Sequence, residues 1–105
     1  MTPLKLLDTP DKWTKGDFAI NIYGDSAEIH APEAVAWCVL GAMEKCYSHD
    51  RAKFEDFEMI LILVIEKKYG MTSIVQWQDE PTTTFKMVHE LLELAQKEFD
   101  SAHTK

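Results

Sequence analysis

The chain has 105 residues, with 18 Asp and Glu against 11 Lys and Arg for a formal charge of −7, and it is 46% hydrophobic. That length suits a single domain over residues 1–105, and the apolar share is too high for a disordered chain. The negative balance argues against direct binding to nucleic acid or to an anionic membrane, because both call for a field of the opposite sign.

Residues 1–12 carry Pro3 and Pro10 among mixed polarity and read as an N-terminal arm or a short helical turn. From Phe18 to Tyr23 the pattern alternates, with Phe18, Ile20 and Ile22 on one face, which is the period of a half-buried strand. Gly24-Asp25-Ser26 supplies a turn, and Ala27 to His30 returns as a partner strand, giving a hairpin. Pro32 then fits a first helical position, and Glu33 to Tyr47 reads as a helix that is apolar nearly all round through Leu40. Ser48 and Asp50 are the candidate caps for a helix over Arg51 to Tyr69, whose Phe54, Phe57, Leu61 and Val64 fall at helical spacing. Gly70 ends it at a C-cap. Thr72 to Trp77 reads as a third strand, followed by the turn Gln78-Asp79-Glu80-Pro81. Thr84 is the best cap for a last helix. There Phe85, Val88, Leu92, Ala95 and Phe99 form an apolar stripe opposite Lys86, Glu90, Glu93, Lys97 and Asp100. The expected architecture is α+β: a small, mostly antiparallel sheet, made of the hairpin plus one strand, packed against three helices.

Chemical motifs are sparse. His89-Glu90-Leu91-Leu92-Glu93 has the spacing of a zinc-hydrolase helix, but Glu93 stands where the second imidazole is needed, so a charged face is the better reading and no metal is expected. Cys38 with His30 would make a thiol–imidazole pair, yet Ala36, Trp37, Val39 and Leu40 around Cys38 point to core packing, so no catalytic residue and no cofactor are assigned. Cys38 and Cys46, eight apart on one helix, would lie about 12 Å from each other, too far for a disulfide. Buried free thiols imply a reducing compartment, and no secretory leader is evident, so the expected location is the cytoplasm of a bacterium, or of a host if the protein is phage-encoded. The longest apolar run, Met59 to Ile65, is seven residues, about a third of a membrane span.

Three blocks in order carry a resemblance: Trp13-Thr14-Lys15-Gly16, Trp37-Cys38-Val39-Leu40-Gly41-Ala42 and Trp77-Gln78-Asp79-Glu80-Pro81. Together they resemble a family of small bacterial and phage proteins of unknown function with a Trp-Cys-x-x-Gly-Ala helix and a Trp-Asn-Asp-x-Pro turn. The chain departs from that pattern at Gln78. The resemblance implies a shared fold over roughly residues 13 to 95 and no assigned activity.

The expected function is a small acidic, non-enzymatic protein-interaction or modulator protein, such as a phage or mobile-element accessory factor, with an anti-defence inhibitor as a special case. Its partner would be another protein. The candidate contact residues are the tryptophans Trp13 and Trp77 and the acidic clusters Asp79-Glu80 and Glu55-Asp56-Glu58. A homodimer through the Met59 to Ile65 region is a further expectation. The alternative from a different class is a small-molecule-binding protein or minor enzyme with a pocket near His30, Cys38 and Trp77.

Overall fold

The computed structural model describes residues 1–103. Its elements are α1 (Pro3–Leu6), a 3-10 turn at Pro10–Lys12, β1 (Ala19–Ile20), β2 (Ala36–Trp37), α2 (Val39–Tyr47), α3 (Arg51–Tyr69), α4 (Ile74–Gln78) and α5 (Phe85–His103). The fold is α+β. Its sheet is one antiparallel pair, with Ala19 opposite Trp37 and Ile20 opposite Ala36. Bridges from Trp13 to Trp37 and from Ser26 to Ile20 cover its two outer edges.

The two long helices form as their patterns dictate. Asp50 caps α3 by accepting the Lys53 N–H at 3.2 Å, and Gly70 ends it at φ 71°. Thr84 caps α5 by accepting the Met87 N–H at 3.3 Å. α3 packs chiefly against α5, with Phe57 and Leu61 of the first and Val88, Leu92, Ala95 and Phe99 of the second in the core. At one end Tyr47, Phe57 and Phe99 meet with ring centroids 5.5–5.7 Å apart. Of the two readings of residues 1–12, short helical turns are what forms: Leu7 is wholly buried, and α1 packs on α2 and α5.

Three expectations fail, each for a tertiary reason. Ala27–His30 is not the hairpin's second strand. The Ala27 N–H does donate to the Ala19 carbonyl, but the regular partner of β1 is Ala36–Trp37. The helix expected from Glu33 therefore begins at Val39, because the Val35 and Cys38 amides are committed to the Ile20 and Phe18 carbonyls. The segment expected as a third strand holds α4 instead. Ser73 accepts the Gln76 N–H at 3.1 Å, and Ile74 and Trp77 turn into the core while Val75 faces out. The core is thus more helix on helix than sheet on helix.

Among the described residues no helix is long and apolar enough to cross a membrane.

Candidate functional site

The start of α2 organises one face of the molecule. Cys38 stands at its N-cap, and the thiol accepts the Gly41 N–H at 3.3 Å. Sulfur is a weak acceptor, so this cap contributes less than a hydroxyl would. Gln78 reaches across from α4, and its Oε1 accepts the Val39 N–H at 2.8 Å. That bond is buried and satisfies an amide that helix geometry leaves without a partner. Gly41 lets the Phe18 main chain lie directly on the helix, since a Cβ there would sit 2.0 Å from the Phe18 carbonyl oxygen. The Trp-Cys-x-x-Gly-Ala and Trp-Gln-Asp blocks are therefore joined physically. One forms the helix start, and the other caps it.

Three clefts open around this junction. The first, about 310 Å³, is lined by Gly16, Asp17, Phe18, Cys38, Val75, Gln78 and Asp79. The second, about 420 Å³, shares Phe18 and adds Ile29, Leu40, Glu44, Arg51, Phe54 and Glu58. The third, about 260 Å³, shares Val75 with the first and Leu40 and Glu58 with the second, and it runs to Ile62 on α3. They adjoin as one grooved face, with Phe18, Val75, Leu40 and Glu58 each lining two of them. Its charged lining is Asp17, Glu44, Glu58 and Asp79 against the single cation Arg51. Arg51 already faces Glu44 at 3.9 Å and Glu55 at 3.7 Å.

The loop that leaves this face at Phe18 and returns at Ile29 has an ordered apex. Asn21 Oδ1 accepts the Tyr23 and Asp25 N–H groups at 2.9 and 3.1 Å, and Gly24 takes φ 82°. On that apex Ile22 and Tyr23 are 73% and 81% exposed.

Several predicted site residues are brought together here, and others are not. Glu58 and Asp79 line the groove. Glu55 and Asp56 are exposed on α3, paired with Arg51 and with His103 (3.3 Å) respectively. Glu80 contributes its carbonyl, which accepts from Lys15 Nζ at 2.7 Å. Trp77 is only 1% exposed, packed 5.3 Å from Tyr69, so it is a core residue and not a groove wall. Trp13 is half-buried, 6.4 Å from Phe85 and with the Lys15 ammonium 5.4 Å over its ring. Of the proposed pocket trio His30, Cys38 and Trp77, only Cys38 lines the first cleft. On α5, Glu93 lies 3.4 Å from His89 Nδ1.

Both cysteines are free and buried. Burial pushes the Cys46 thiol up to about 11 and the Tyr47 hydroxyl to about 12, with the neighbouring Cys46 adding to the latter. Asp17, Phe18, Leu40, Glu44, Ile22 and Tyr23 escaped the sequence reading because neighbours in the groove come from four separate segments. Gly24-Asp25-Ser26 and the Asn21-x-x-Gly24 spacing are the local signals for the ordered apex.

A family model described as "Family of unknown function (DUF6197)" matches residues 4–98. The chain belongs to this family. Every residue lining the groove falls within the DUF6197 match. No curated protein and no solved structure matches the chain.

Proposed function

We propose that this protein is a small, non-enzymatic interaction module that docks a basic, apolar-anchored segment of another protein on the face around Leu40. The observation that carries this reading is the groove itself: apolar Phe18, Ile29, Leu40, Phe54, Ile62 and Val75, rimmed by four carboxylates and one paired guanidinium. Such a rim favours partners with lysine or arginine flanking their apolar anchors. The rigid apex bearing Ile22 and Tyr23 supports the same reading, because an ordered loop loses little entropy when its exposed side chains are covered. The groove does not favour nucleophilic catalysis, since the Cys38 thiol is occupied as a helix cap and His30 does not line its cleft. A modulator carried by a phage or mobile element, with an inhibitor of host defence as a special case, belongs to this proposal.

A displayed library of short peptides selected against the full chain tests the reading. Selected sequences are expected to pair an apolar residue with basic neighbours and to bind more weakly as salt rises. They are also expected to lose binding to Phe18→Ala and to Val75→Lys, both changes at exposed side chains. A selection that returns no binders, or binders indifferent to salt and to both variants, refutes it.

A further inference from the structure

The first cleft has a chemistry of its own within the groove. Its two carboxylates come from different elements, Asp17 from the loop before β1 and Asp79 from the end of α4. Among the described residues neither is in an ion pair, and Asp17 accepts only the Ser26 hydroxyl. Lys15, the cation nearest in sequence, has its ammonium on the Glu80 carbonyl and over the Trp13 ring.

Gln78 supplies the second, independent observation. The residue is 2% exposed and lines the cleft. Its Oε1 is fixed by the Val39 N–H, which settles the orientation of the carboxamide. Among the described residues its Nε2 has no hydrogen-bond partner, which leaves a donor free on a side chain that lines the cleft. A donor in that position gains most when an acceptor displaces loosely held water.

We infer that this cleft, bounded by Asp17, Asp79, Gln78, Phe18 and Val75, is the subsite that takes an arginine from the docked segment. The inference rests on the docking reading above and specifies its anchoring group. Phe18 and Val75 receive the methylene stem, the two carboxylates receive the guanidinium, and Gln78 Nε2 donates to the main-chain carbonyl of the same residue. An arginine fits better than a lysine because its planar fork serves two carboxylates at once. The N-terminus of α2 opposes the cation with about half a positive charge, which two carboxylates outweigh.

The test is a titration of the 15N-labelled full chain with N-acetyl-arginine amide and with its uncharged isostere N-acetyl-citrulline amide. The arginine probe is expected to shift Gly16, Asp17 and Val75 amides and the Gln78 side-chain NH2 saturably. The citrulline probe should bind about tenfold more weakly, as two partly exposed ion pairs warrant. Asp17→Asn with Asp79→Asn should abolish that difference while the spectrum stays dispersed. Equal binding of the two probes, shifts centred on Glu55 and Asp56, or an undiminished difference in the double variant each overturn the subsite. If selected peptides still depend on Phe18 and Val75 while the Asn variants bind them undiminished, the subsite fails and docking stands. If the arginine probe seats in the cleft while no peptide depends on the groove, docking fails and a free cation site stands.

Discussion

Replacing Gly41 by alanine sets two effects of opposite sign against each other. Helix propensity alone favours the change by up to about 1 kcal/mol inside a helix. Packing opposes it, because the new Cβ would lie 2.0 Å from the Phe18 carbonyl oxygen and 2.9 Å from its carbon. Ordinary contact begins at 3.4 Å, so the Phe18 main chain must retreat by about 1.4 Å. That carbonyl also accepts the Cys38 N–H, and the next residue pairs with Trp37, so the retreat disturbs the helix start and the sheet together. Overpacking of this kind costs about 1–3 kcal/mol, and a lost backbone hydrogen bond adds about 1. Subtracting the propensity gain leaves a net destabilisation of about 1–3 kcal/mol, or a fall in Tm of roughly 5–20 °C for a domain of this size. Urea and thermal unfolding followed by far-UV circular dichroism measure it. Because the clash is with main chain, trimming the side chain in a Phe18→Ala background should give no rescue. A Gly41→Ala protein as stable as the parent would refute the close approach.

Other consequences follow from the same contacts. Gln78→Met leaves the Val39 N–H buried without its acceptor and should cost about 1–3 kcal/mol in urea unfolding. Asp50→Ala and Thr84→Ala should each lose about 1 kcal/mol by uncapping α3 and α5, measured in the same way. Cys46 and Tyr47 hold their protons more tightly when folded. Stability should therefore be full below pH 9 and fall through about 11 for Cys46, and from 10 through about 12 for Tyr47. A Cys46→Ala, Tyr47→Phe variant should show a shallower alkaline loss in unfolding curves taken at successive pH values. Both thiols should resist a thiol reagent in the folded protein and react on unfolding; rapid labelling of native Cys46 would contradict its burial.

The parts of the fold that could be read in advance are those whose signals are local. The α3 and α5 patterns, the Asp50 and Thr84 caps and the Gly70 terminus each lie within a few residues of the structure they specify. The start of α2 had no such signal. Its cap is a cysteine, outside the usual oxygen-bearing set, and the apolar run from Ala34 to Leu40 conceals a strand followed by a helix. For α4, β-branched Ile74 and Val75 suggested extension, while Ser73-x-x-Gln76 carried the weaker capping pattern that prevailed once Trp77 was buried.

By itself the sequence determined an acidic chain with two long helices, the second clearly amphipathic, the Asp50 and Thr84 caps, the Gly70 terminus, and two thiols too far apart to bridge. Periodicity and capping are properties of neighbouring residues, so no partner segment is needed to state them. The tertiary structure decided which acidic residues share a surface, bringing Asp17, Glu44, Glu58 and Asp79 to the linked clefts while leaving Glu55 and Asp56 on the solvent side of α3. It also decided that Trp77 is core and that Gln78 caps a helix 39 residues earlier. These are contacts between distant segments, fixed when Phe18, α2 and α4 pack on one another, and no local pattern encodes them.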